Sequence, residues 1–188
     1  MRALETNKGA LLLDGAQYED AFAWLYQHYP SHQPLPLLAG TAYEQIADAG
    51  PILIDAPVGS FAYAAWSQGS DLVSALWLES EVQAEELVTI LQRRLRIFAP
   101  DGRELWLRLG DGRSLRQAWL GGAQWPNGFW YGTSRIWLRH QEAIICAWHN
   151  DEPGHDMAPA ETGITAQITL DWPVLQALAA QVDTAQEV

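Results

Sequence analysis

Residues 97–117 read IFAPDGRELWLRLGDGRSLRQ, and a hairpin, a strand and a helix start are all legible in that stretch. Asp101-Gly102 lies between two strand-like runs, and such a dipeptide suits the positive φ of a tight hairpin. After it, residues 104–109 (ELWLRL) have the composition of a strand that carries Arg108 to within three residues of Asp111. A second Asp-Gly follows. Leu115 and Trp119 then recur at helical spacing, with Asp111 or Ser114 placed to cap the helix. The side chains are those of structure, with one candidate ion pair, Arg108–Asp111, that would fix the strand-to-helix turn or support a partner contact.

The same alternation runs outward in both directions. Residues 10–13 form an apolar run suited to a buried strand, and Ala21, Trp24, Leu25 and His28 repeat at helical spacing up to Pro30. After a proline-rich link, Thr41-x-x-Glu44 is a capping pattern for a helix over 42–49, which Gly50 and Pro51 would stop. Residues 52–55 and 72–78 read as strands, and 60–68 as a helix. Ser80-x-x-Gln83 opens a further helix with Val82, Leu87, Ile90, Leu91 and Leu95 on one face. Arg93, Arg94 and Arg96 fall in its last turn, where the helix dipole favours cations.

Past residue 121 the pattern changes. Two strands, 135–140 and 143–148, flank Gln141-Glu142, and a polar loop covers 150–163. Asp171 caps a last helix with Pro173 in its first turn, and residues 183–188 are expected to fray. The expected fold is α/β, or α+β, with a central mixed β-sheet flanked by helices. Its main domain covers residues 1–122, and a short C-terminal extension, 123–188, packs on it and ends in a helix.

Composition narrows the function classes. With 48% hydrophobic and 18% charged residues the 188-residue chain is globular and long enough for a real core. It has no apolar run near membrane-spanning length, and its N-terminus lacks the apolar core of a signal peptide, so a cytoplasmic protein is expected. The single cysteine, Cys146, rules out an internal disulfide framework and is expected to be a buried, inert thiol. The net charge of −12 repels phosphate backbones, which argues against nucleic acid and anionic membrane as partners. Lys8 is the one lysine; most arginines lie between Arg93 and Arg139 and suit bidentate pairing with carboxylates.

Ten tryptophans exceed what a core of this size needs, and tryptophan is enriched in interface centres. Trp24, Trp66, Trp77 and Trp106 fall inside periodic elements and are expected in the core. The segment 124–132 (QWPNGFWYG) is different: Trp125, Phe129, Trp130 and Tyr131 surround a Pro-Asn-Gly turn without helical or alternating period. If exposed, that segment would mark a contact site.

The search for catalytic chemistry returns little. No glycine-rich dinucleotide or phosphate loop and no G-x-S-x-G elbow is present. His149, Asp151, Glu152, His155 and Asp156 could ligate a metal, but their spacing matches no established metal pattern and the segment reads as a solvated acidic loop. Neither a metal nor a cofactor is expected.

In ordered blocks over about residues 10–120 the chain resembles the adaptor-chaperones of bacterial type VI secretion systems, which load effectors onto the VgrG spike. The blocks are LLLDGA (11–16), LPLLAGT (35–41), AGPILID (49–55), SALWLES (74–80) and LVTILQRRLRI (87–97). The most specific is PDGRELWLRLGDGRSLRQAW (100–119), a hydrophobic strand ending in Arg108 with Asp111 after a two-residue gap. Members often carry an aromatic residue before that aspartate and a proline after it, where this chain has Gly110 and Gly112. The resemblance implies a non-catalytic cytoplasmic adaptor whose partners are a type VI effector, through its N-terminal region, and the VgrG spike. Trp125, Phe129, Trp130, Tyr131, Arg108, Asp111 and Arg113 are the expected contact region or its support, with Trp130 carrying binding rather than stability. Two other classes stay open: an immunity protein that occludes a toxin with acidic residues, and a metal-dependent hydrolase using His149, Asp151 and His155.

Overall fold

The apolar run LLL at 11–13 becomes the middle of the molecule. In a computed structural model, which describes residues 6–180, strand β1 (Gly9–Asp14) is buried along its whole length. Both neighbours run antiparallel to it: β3 (Pro51–Asp55) pairs Leu11 with Ile54, and β4 (Leu76–Glu79) pairs Leu11 with Trp77. Strand β2 (Pro34–Pro36) closes one side. Strands β7 (Arg135–His140) and β8 (Ala143–His149) extend the other, giving the order β2-β3-β1-β4-β7-β8. The fold is a mixture of α and β as expected, and every pairing within the large sheet is antiparallel. The two strands beyond residue 122 are hydrogen-bonded into the same sheet as β1.

Side-chain alternation assigns the strands' two faces to two cores. Leu12, Leu53, Leu76, Leu78, Ile136 and Leu138 face one of them. That core is closed by helices α3 (Ala84–Gln92), α4 (Gly112–Leu120) and α5 (Trp172–Ala179) and by the hairpin of β5 (Arg96–Phe98) and β6 (Glu104–Trp106). Leu11, Leu13, Ile52, Ile54, Trp77 and Trp137 face the second, covered by α1 (Ala21–His28) and α2 (Phe61–Gln68). Because helices cover both faces, β1 reads as a continuous apolar run rather than an alternating one.

Local chemistry sets most boundaries. Asp20, Ser60, Asp111 and Asp171 cap α1, α2, α4 and α5 through their side chains, and Gly102, at φ 85°, makes the hairpin turn. The expected helix over 42–49 contracts to a 3₁₀ turn at Glu44–Ile46. The Thr41 hydroxyl does accept from the Tyr43 N–H, but the chain reaches Gly50 before an α-helix can form. The strand expected at 72–78 starts only at Leu76, because Leu72 takes φ 54° and its carbonyl accepts from the Ala75 N–H in a turn.

The helix opened by Ser80 begins later than expected. Ser80 turns aside to donate to the Gly132 carbonyl, and α3 runs from Ala84 to Gln92. Val82, Leu95 and the three arginines therefore lie outside it. β6 ends at Trp106, short of the six residues expected. Trp66 and Trp77 are buried as expected, whereas Trp24 is half-buried and Trp106 is 50% exposed. Cys146 is half-buried on β8 rather than sealed in the core. The expectation for residues 183–188 falls outside the described residues. Among the described residues, no helix is long and apolar enough to cross a membrane.

Candidate partner-binding site

Two candidate segments, distant in sequence, come together at one end of the sheet. The register Gly9↔Glu79, Glu79↔Arg135, Arg135↔His149 places the start of β7 and the end of β8 side by side. The aromatic turn leads into the first and the loop 150–156 leaves the second. A cavity of about 350 Å³ lies between them, walled by Trp125, Trp130 and Trp148 with Asp151 and Glu152 on its rim. Trp125 stacks on Phe129 with centroids 4.5 Å apart and meets Trp130 and Trp148 edge-on at 5.2 and 5.7 Å. Phe129 is fully buried and Trp130 is 4% exposed, so these rings are core; Trp125 and Tyr131 are half-buried. The expectation that Trp130 carries binding rather than stability is therefore corrected: the turn has no period because it folds on itself, not because it lies open.

What folds the turn is a pair of arginines that terminate α3. Arg94, buried completely, donates to the carbonyls of Ile90 (2.8 Å), Gly128 (3.2 Å) and Phe129, and to Asp156 at 2.6 Å. Arg93 donates to the other oxygen of Asp156 at 2.5 Å and to the Ala160 carbonyl at 3.0 Å. One carboxylate thus serves two buried guanidiniums. Burial lowers the pKa of Arg94. For Asp156 burial raises it, but the Ala158 N–H and the two arginines outweigh this and hold its carboxyl below the usual range. Asp156 is in this way a structural clasp. His149 lies 3.5 Å from Asp151, and His155 packs against Gly128 instead. Among the described residues no group of three or more His, Cys, Asp or Glu is placed to hold a metal ion.

Arg108, Asp111 and Arg113 lie at the opposite end of the sheet, beside the last residue of β1. Asp14 and Asp111 are both nearly buried, and the exposed Arg108 pairs with Asp14 and, at 3.6 Å, with Asp111. Asp111 also accepts from the Arg113 backbone and guanidinium at 3.1 and 3.0 Å, which makes it at once helix cap and ion-pair centre. The glycines either side of it have a steric cause. A Cβ on Gly110 would stand 2.5 Å from the Leu13 carbonyl oxygen, and one on Gly112 would stand 2.3 Å from that of Ser74. The seven candidate residues therefore divide four and three between the two ends of the sheet.

Residues 11–125 match a protein-family model described as a domain of unknown function, DUF4123. The chain belongs to the DUF4123 family. No curated protein and no solved structure matches it. Within the DUF4123 region lie Arg108, Asp111, Arg113 and Trp125; Phe129, Trp130, Tyr131 and Asp156 lie beyond it.

That region also holds a surface the sequence reading assigned to the core. Trp106 projects from β6 with Tyr43 edge-on at 4.8 Å and the Arg96 guanidinium 5.7 Å from its ring centre; Arg96 also pairs with Glu104. A Trp, a Tyr and an Arg fixed together at a surface are the residue types that dominate interface energetics. Alternation gave the signal in ELWLRL: Trp106 lies out of phase with Leu105 and Leu107, which point to the core. The ion-pair roles of Asp156, which reads only as a possible metal ligand, and of Asp14 were not legible because their arginine partners are 62 and 94 residues away.

Proposed function

We propose that this DUF4123 protein is a non-catalytic adaptor of type VI secretion, which binds the N-terminal region of an effector in the cytoplasm and assists its loading onto the VgrG spike. The observation that carries this reading is the exposed Trp106, held by the half-buried Tyr43 and Arg96, inside the matched residues 11–125. A half-exposed tryptophan already clamped in place loses little entropy when a partner covers it. The Arg108–Asp111 motif, which bears the resemblance to the adaptor-chaperones, supports the reading from the other end of the sheet: Arg108 is held by two carboxylates yet remains 58% exposed along its side chain. The net charge of −12 further favours a basic or neutral protein surface as partner.

The test is co-expression with candidate type VI toxin and VgrG spike proteins from the same source, followed by tagged pull-down and mass spectrometry. Recovery of a toxin through its non-catalytic N-terminal part supports the adaptor. Recovery through the toxic domain alone would make the protein an immunity factor, and recovery of neither, with both soluble, would overturn the proposal.

A further inference from the structure

Tryptophan carries one polar atom, an indole N–H that can only donate, and a buried donor left without an acceptor costs stability. Trp66, Trp77, Trp137 and Trp148 avoid that cost: each buried ring donates to a protein oxygen at 2.8–3.0 Å. Trp125 and Trp130 do not. The indole nitrogens of both are buried, and neither meets an acceptor among the described residues. Both rings wall the cavity of about 350 Å³ at the end of the sheet, and Trp130 is 4% exposed. Polar side chains of the same wall are already engaged. Asn127 donates to Glu152 at 2.6 Å, and Asn150 donates to the Trp130 and Thr133 carbonyls, both at 2.9 Å. The two indole donors, rather than the acidic rim, therefore set what the cavity can recognise.

We infer that this cavity binds an uncharged main-chain carbonyl of a partner polypeptide, together with the apolar side chain beside it. Two N–H donors call for an oxygen acceptor. The net charge of −12 disfavours a carboxylate or phosphate as its source, which leaves a neutral carbonyl. The walls are aromatic, and the volume lies at the small end for ligand sites, room for one side chain and its flanking peptide groups. A sugar would need an open ring face to stack on. Here Trp125 lies against Phe129 and meets Trp130 edge-on, so the rings pack on one another rather than present a platform. The polypeptide source rests on the adaptor reading. Recognition of a carbonyl by the two indoles does not, and small probes test it without any effector.

The test follows the indole N–H signals of the full nitrogen-15-labelled chain by NMR, with Trp125→Phe and Trp130→Phe assigning the two that matter. The probes are N-acetyl-leucinamide, N-acetyl-leucine with its free carboxylate, a blocked Ala-Leu-Ala peptide and N-acetylglucosamine. The amide is expected to shift the Trp125 and Trp130 signals downfield and saturably while those of Trp66 and Trp77 stay in place. The free carboxylate should bind at least about tenfold more weakly, and the blocked peptide more tightly than the single-residue amide. Trp125→Phe keeps an aromatic ring at a half-buried position but removes the donor, and should weaken amide binding about fivefold; it carries the test if Trp130→Phe does not fold. No saturable movement of either signal up to the solubility limit of the amide, or unchanged affinity in Trp125→Phe, would overturn the site. Tighter binding of the sugar than of the amide, or a blocked peptide no tighter than the amide, would overturn the polypeptide as its occupant.

Discussion

Trp130 and Trp106 exchange the roles their sequence contexts suggest. Trp130 sits in an aperiodic, glycine-flanked turn yet is buried against Trp125 and Phe129, so Trp130→Ala should cost about 3–5 kcal/mol in a denaturant titration. A loss under 1 kcal/mol would show that the ring is not in the core. Trp106 is the opposite case. Trp106→Ala should change stability by no more than about 1 kcal/mol but weaken effector capture by about 2 kcal/mol, some thirtyfold. Unchanged capture would remove the exposed cluster from the interface. Asp156 answers to two arginines, so Asp156→Ala leaves both guanidiniums buried without a carboxylate and should cost about 3–5 kcal/mol. Its folded pKa lies below that of the unfolded chain. The stabilisation is therefore present above about pH 3.9 and is lost as pH falls through the lowered folded value. Acid titrations of the wild type and Asp156→Ala should accordingly converge at low pH; parallel curves would contradict the clasp.

Elements whose signals are local are legible in the sequence itself. The Asp101-Gly102 hairpin, the Asp111 cap of α4, the Asp171 cap with Pro173 behind it and the β7–β8 turn at Gln141-Glu142 all depend on residues within a few positions of one another. Elements whose limits depend on distant partners were not. Ser80 leaves the start of α3 for the Gly132 carbonyl, and Arg93 and Arg94 leave its end for Asp156, so the helix is shorter than its apolar period implies. Gly110 also shows a long-range cause behind a local residue: β1 passes so close that Gly110→Ala should cost about 1–3 kcal/mol through overpacking. A neutral thermal shift would mean that the backbone of β1 yields freely at Leu13.

At the scale of the whole molecule, the six-stranded sheet has the Arg108 node at one end and the aromatic cavity at the other, while the Trp106 cluster sits on the separate β5–β6 hairpin. Class and most of the element order were readable from the alternation of patterns, although β2 reads as part of a proline-rich link; the order of strands was not, because pairing β1 between β3 and β4 is decided by packing over long sequence separations. For the same reason the seven candidate residues, drawn from 108–131, could not be seen to occupy two ends. An adaptor must bind its effector while leaving the toxic chemistry intact, whereas an immunity protein must block it. The decisive measurement is therefore the enzymatic activity of a candidate type VI toxin with the purified protein added to saturation, alongside calorimetric titration of the toxin's N-terminal region. The adaptor reading predicts binding to that region with toxin activity unchanged. Inhibition of the toxin, with no affinity for its N-terminal region, would contradict it.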